Sequence, residues 1–157
     1  MTHITLSELE SEAAAIGLIL RIQLRRPLNL WTIRLVVGKC VEANKIKLLG
    51  EMKGWAYQGA SGLQLDTMQI SSNAPSGVGH LVWASTMAWA LEETPCKRAR
   101  LLAINDDAKQ HKILVKYFSR RGFSTIKEVG SSFFDLPLRL IWGGSGSLMI
   151  GNCIEVY

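Results

Sequence analysis

From Leu81 to Leu91 the chain reads Leu-Val-Trp-Ala-Ser-Thr-Met-Ala-Trp-Ala-Leu, a stretch in which only Ser85 and Thr86 interrupt an otherwise continuous apolar surface. Wound as a helix, it has no face to offer water, so the rest of the fold must surround it. It is about half as long as a bilayer crossing requires, so the expected setting is the centre of a soluble domain and no membrane insertion is expected. Pro95 marks its end, and the run Ser71-Ser72-Asn73-Ala74-Pro75-Ser76-Gly77-Val78-Gly79 before it has the small, turn-forming residues of a loop. A chain of 157 residues fits one domain over residues 1–157 and is long enough to bury roughly 70% of its unfolded surface.

The segments before this helix have a different period. Leu18 to Leu24, Leu30 to Val37, Lys45 to Gln58 and Leu63 to Ile70 are alternating, β-branched or aromatic, and are broken by Arg26-Pro27, Gly38 and Gly59-Ala60-Ser61-Gly62. This pattern predicts an antiparallel meander. Ser7 with Glu10 forms a capping-box pattern for a short helix from Glu8 to about Ile16, ended by Gly17. After the central helix, Arg100 to Ile104 reads as a strand. Asn105-Asp106-Asp107 then caps a helix running to about Arg121 and ending at Gly122, with Ala108, His111, Leu114, Val115 and Phe118 on one face. Strands near Ser124 to Val129 and Leu138 to Trp142 follow, then Gly143-Gly144-Ser145-Gly146 and an apolar run to Ile150. The order predicts a mixed α/β fold, with a mainly antiparallel central sheet and flanking helices.

The net charge of +5 favours anionic partners without choosing among them. The basic residues are scattered, and Lys109, Lys112, Lys116, Arg120 and Arg121 mostly avoid the apolar stripe of their helix, as a solvated face does. Nucleic acid is therefore not the expected partner. Cys40, Cys96 and Cys153 lie far apart with no Cys-x-x-Cys pair, which predicts neither a metal site nor a disulfide framework and fits the cytoplasm or another reducing compartment. Cys40, beside Lys39 and Glu42, is expected in a turn. The five tryptophans, Trp31, Trp55, Trp83, Trp89 and Trp142, are read first as core.

Gly77 and Gly79 stand just before the apolar helix. Glycines there permit close backbone approach to first-turn N–H groups, a setting suited to a phosphate or pyrophosphate, although simple turn chemistry uses the same residues. The succession strand, Gly77-x-Gly79, helix, strand, Asn105-x-x-Ala108, helix, Gly122-Phe123 resembles the core of the GNAT superfamily of N-acetyltransferases over about residues 45 to 130. The resemblance implies a GNAT-like acyl-CoA N-acyltransferase fold. Acetyl-CoA would then be cradled by Gly77, Val78, Gly79, His80 and Leu81, with Asn105 beside its pantetheine arm and an amine as acceptor. It also marks the N-terminal region as reduced, with one short helix before the strands where the family has a strand and two helices.

Acetyl transfer needs a base for the ammonium proton and donors for the thioester carbonyl. Glu51 and Asp66 are strand carboxylates available as base, and period-two alternation also allows each to be merely solvent-facing. The family's acid is a Tyr five residues before the Phe of Gly-Phe. Phe118 holds that position here, and Tyr117 beside it is the nearest hydroxyl. Where the family carries Gln or Arg, three residues before Gly77, this chain has Ala74. Two function classes follow: an acetyl-CoA-dependent N-acetyltransferase, or a catalytically degenerate module of the same frame acting as a protein-binding or assembly factor.

Overall fold

A computed structural model describes residues 5–26, 28, 30–43, 45–71, 74–75, 77–104, 107–130, 135–137 and 145–156. The elements are α1 (Leu6–Ala15), β1 (Leu18–Arg25), β2 (Trp31–Glu42), β3 (Lys45–Ala56), β4 (Leu63–Ile70), α2 (Val78–Glu93), β5 (Arg98–Ile104), α3 (Ala108–Arg121), β6 (Phe123–Val129), β7 (Gly146–Asn152) and α4 (Cys153–Val156). The strands form one seven-stranded sheet in the order β1-β2-β3-β4-β5-β7-β6. Every neighbouring pair is antiparallel except β4 and β5, which α2 links in parallel.

The apolar helix is central, as its sequence requires. Val78, Val82, Trp83, Met87 and Trp89 of α2 are essentially inaccessible, and Leu35, Val37, Met52 and Leu63 of the sheet meet the same core. Gly50 sets the closeness of that contact: a Cβ there would lie 3.0 Å from Val82 and 3.1 Å from Val78. The face of β3 carrying Gly50 and Met52 is therefore the one turned to α2, and Glu51 and Lys53 face away.

Three expectations need correction. The first helix is capped by Thr5 with Glu8, not by Ser7 with Glu10: the Thr5 side chain accepts from Glu8 N and the Glu8 carboxylate accepts from Thr5 N. The earlier start lets Leu6 pack on the core with Leu9 and Ala13, and lets Glu92 accept from Leu6 N at 2.9 Å. Gly38 does not break a strand. β2 runs through it with a bulge, and the missing side chain admits Ile46, which would lie 2.6 Å from a Cβ. Cys40 is consequently in β2 rather than in a turn.

The last apolar run is a buried strand. β7 is inserted between β5 and β6 and buries Ser147, Leu148 and Met149. The expected strand from Leu138 to Trp142 lies outside the described residues.

Candidate functional site

Beside Gly54 the β3–β4 ladder skips a residue: Lys53 pairs with Thr67 and Gly54 with Leu65, leaving Asp66 as the extra residue of a β-bulge. Gly54 makes this possible, because a Cβ there would fall 2.6 Å from the Gln64 carbonyl oxygen. On the other edge of β4, the parallel pairing with β5 comprises Leu63↔Ala99 and Gln64↔Arg100 and stops just before the bulge. Beyond it the two strands diverge. A bulged strand bends and twists more strongly, and here the bend separates β4 from β5.

The opening is a cleft of about 280 Å³ lined by Met52, Leu65, Asp66, Met68, Trp83 and Phe118, with further residues of β4, β5 and α3. Its walls are mostly apolar. Asp66 supplies an exposed carboxylate at the mouth, where it accepts from the Thr67 hydroxyl at 3.4 Å.

Trp83 lies one helical turn beyond Gly79, and the first turn of α2 itself packs on β3, where Val78 meets Gly50. Gly77 is the helix N-cap with φ +98°, a left-handed conformation that favours glycine, and no side chain among the described residues caps this end. Gly79 has no such backbone requirement. The nearest atom to a Cβ built there is the Tyr117 hydroxyl, at 4.0 Å, an ordinary contact distance, so its bare flank has room for a methyl group. Val78 and Leu81 are buried and His80 is exposed. Arg121 brings a positive charge to this turn: its Nη2 donates to the Gly79 carbonyl at 3.4 Å, and its guanidinium lies 5.6 Å from the Trp83 ring centroid.

Tyr117 is half-exposed, and its hydroxyl accepts a 2.9 Å hydrogen bond from Trp83 Nε1. It therefore stands at the α2 end of the site, whereas Phe118 is the residue that lines the cleft. Asn105 lies outside the described residues.

Glu51 is on the outer face of β3, as alternation predicts, yet it is only 8% exposed. Arg34 Nε donates to its Oε1 at 2.9 Å and Lys53 Nζ stands 3.5 Å from the same oxygen. The Arg34 hydrogen bond outweighs desolvation and holds the Glu51 carboxyl below the usual carboxylate range, with Lys53 assisting. Such a group is a poor proton acceptor. The structure thus brings Asp66 and Trp83 to one cleft, leaves Gly77 to Leu81 and Tyr117 outside its lining, with Tyr117 joined to it through Trp83, and commits Glu51 to an ion-pair cluster.

Sequence reasoning missed the bulge, Trp83 and Arg121. The bulge had one legible signal, a lone glycine inside a strand pattern at Gly54. His111, on the inner face of α3, meets the buried Ser147 hydroxyl at 3.1 Å, and Ser147 also donates to Glu128, which makes this a satisfied structural contact. Among the described residues, no group of three His, Cys, Asp or Glu side chains is placed to hold a metal ion, and no helix is long and apolar enough to cross a membrane. No protein-family model and no curated protein matches the chain.

Proposed function

We propose that this chain is a GNAT-like N-acetyltransferase that takes acetyl-CoA as donor and an amine as acceptor. The observation that carries the reading is the bulge at Asp66, beyond which no β4–β5 pair continues and a cleft lined by Trp83 of α2 opens. Unpaired strand edges flank the opening, and their N–H and C=O groups suit an extended arm bearing amides. A volume near the lower bound of ligand pockets, roughly 300–1,000 Å³, takes such an arm and leaves a pyrophosphate outside, at the Gly79 turn. Val78 N already donates to the Pro75 carbonyl and Leu81 N to the Gly77 carbonyl, so the N–H groups of Gly79 and His80, the helix dipole and Arg121 are what favour an anion there. Gly79 supports this placement. A glycine within a helix costs about 0.5–1 kcal/mol relative to alanine, and the fold itself has room for a Cβ at that position.

The donor supplies the acetyl thioester, and the chain's own residues position and deprotonate. Asp66 accepts a proton from the acceptor's ammonium, directly or through water. The freed nitrogen bonds to the acetyl carbon as the carbon–sulfur bond breaks, and the second proton lost by nitrogen neutralises the departing thiolate. Tyr117, whose hydroxyl accepts from Trp83 and keeps its own proton to donate, is the acid this reading assigns to that proton transfer.

One observation favours a second reading, a partner-binding module without catalysis: Phe118, which carries no proton and stands where the resemblance puts the family's acid, lines the cleft. Calorimetric titration with acetyl-CoA decides between them, with Gly79→Trp as the blocked variant. Micromolar binding lost in the variant is the expected result. Absence of binding at millimolar acetyl-CoA refutes the transferase and leaves the module.

A further inference from the structure

No described helix packs over the face of β1–β4 opposite α2. Two cross-strand rows cross it side by side: Gln23, Arg34 and Lys53, then Arg25, Thr32 and Trp55. Together with Asp66 they line a second cavity of about 360 Å³. Asp66 also lines the cleft between β4 and β5, so one residue borders both cavities. The extra residue of the bulge is thus the junction between them.

The charges in this second cavity are sorted. Arg25, Arg34 and Lys53 come from β1, β2 and β3, and Asp66 stands alone on β4. Glu51 balances only part of the cationic group, since its one carboxylate is shared by Arg34 and Lys53. Arg25 has no acidic partner among the described residues. Trp55 forms a half-buried aromatic wall whose orientation is fixed, because Nε1 donates to Gln64 Oε1 at 2.7 Å. A ligand that satisfies this cavity carries a positive group toward Asp66 and a negative group toward the cations, with a short apolar span against the indole.

We infer that the acceptor is an amine bearing a carboxylate or phosphate, held with its nitrogen at Asp66 and its anionic tail among Arg25, Arg34 and Lys53. This inference rests on the acetyltransferase reading for its chemistry. The cavity's preference for such a ligand is measurable without the donor.

The test uses the full chain labelled with nitrogen-15, titrated separately with γ-aminobutyrate, butylamine and putrescine. These probes have similar four-carbon spans and differ in whether the far end is anionic, neutral or cationic. γ-Aminobutyrate is expected to bind at least about tenfold more tightly than butylamine, the effect of one charge-assisted hydrogen bond, with putrescine weakest. The Trp55 indole resonance and the amides of Gln23, Arg34 and Lys53 should shift. Arg25→Gln, an exposed substitution that leaves the Glu51 cluster intact, should bring the γ-aminobutyrate to butylamine ratio close to one. Asp66→Asn should weaken both.

Phosphoethanolamine compared with ethanolamine repeats the test for a phosphate tail, and a preference in either series supports the inference and names the tail. Equal binding of charged and neutral probes in both series, shifts confined to other surfaces, or no binding at millimolar probe overturns it. Selective amine binding together with no acetyl-CoA binding keeps this site and removes the transferase. Acetyl-CoA binding without amine selectivity does the reverse.

Discussion

Tyr117→Phe removes one oxygen atom and leaves the ring contacts of α3 in place, including the 5.4 Å approach to Phe118. What it takes from the protein is the acceptor of Trp83 Nε1, 2.9 Å away on an indole that is 1% exposed. Water does not reach that nitrogen freely, so the donor is left buried without a partner, at a cost of about 1–3 kcal/mol. In a domain of this size, about 2 kcal/mol lowers Tm by roughly 4–8 °C. The double-mutant cycle with Trp83→Phe isolates the bond. In that background the donor is already gone, and the hydroxyl of Tyr117, a residue 39% exposed, turns to water before it is removed. Tyr117→Phe should then cost less than about 0.5 kcal/mol. Urea denaturation with a common m-value supplies the four free energies. An equal cost in both backgrounds refutes the assignment of that energy to the Trp83 hydrogen bond.

Gly77→Ala and Gly79→Ala should move stability in opposite directions. The first forces a left-handed φ on alanine, at about 1–2 kcal/mol, while the second adds a methyl group without a clash in a helix and gains up to about 1 kcal/mol. Thermal melts give both values, and a weaker affinity for acetyl-CoA in the more stable Gly79 variant would tie the bare flank to the ligand. Gly54→Ala pushes a Cβ onto the Gln64 backbone and should cost about 1–3 kcal/mol in urea denaturation, with loss of the strand divergence at Asp66 read from amide shifts. Because the Glu51 carboxyl is held low in the folded chain, its stabilising contribution is present above the unfolded carboxylate pKa and is lost as pH falls through the folded value. Glu51→Gln should flatten that acid limb of the stability profile. A thiol reagent should modify Cys40 rapidly, whereas Cys96 and Cys153 are buried, and desolvation pushes the Cys153 thiol up to about 12, so both should react only on unfolding.

The central helix, the antiparallel meander and the Gly122 helix stop were legible because each depends on local chemistry. A stretch apolar on all sides must be enclosed, alternation must split residues between two faces, and a glycine with φ +111° ends α3 where the sequence puts it. The Gly77 turn was legible for the same reason. The α1 cap was misplaced because two Ser/Thr-x-x-Glu patterns overlap, and contacts with Glu92 and the core, far away in the chain, choose between them.

The site itself was only half written in the sequence. Asp66 and Glu51 look alike as strand carboxylates, yet a skipped ladder pair turns one toward a cleft while two cations enclose the other. Tyr117 and Phe118 are neighbours on one helix, and which of them lines the cleft depends on where Trp83 of another helix comes to rest. Local sequence determined what each segment becomes, because propensity, capping and periodicity act over a few residues. Register and helix packing decided which side chains meet across elements, because Arg34 reaches Glu51 over 17 positions and Trp83 reaches Tyr117 over 34.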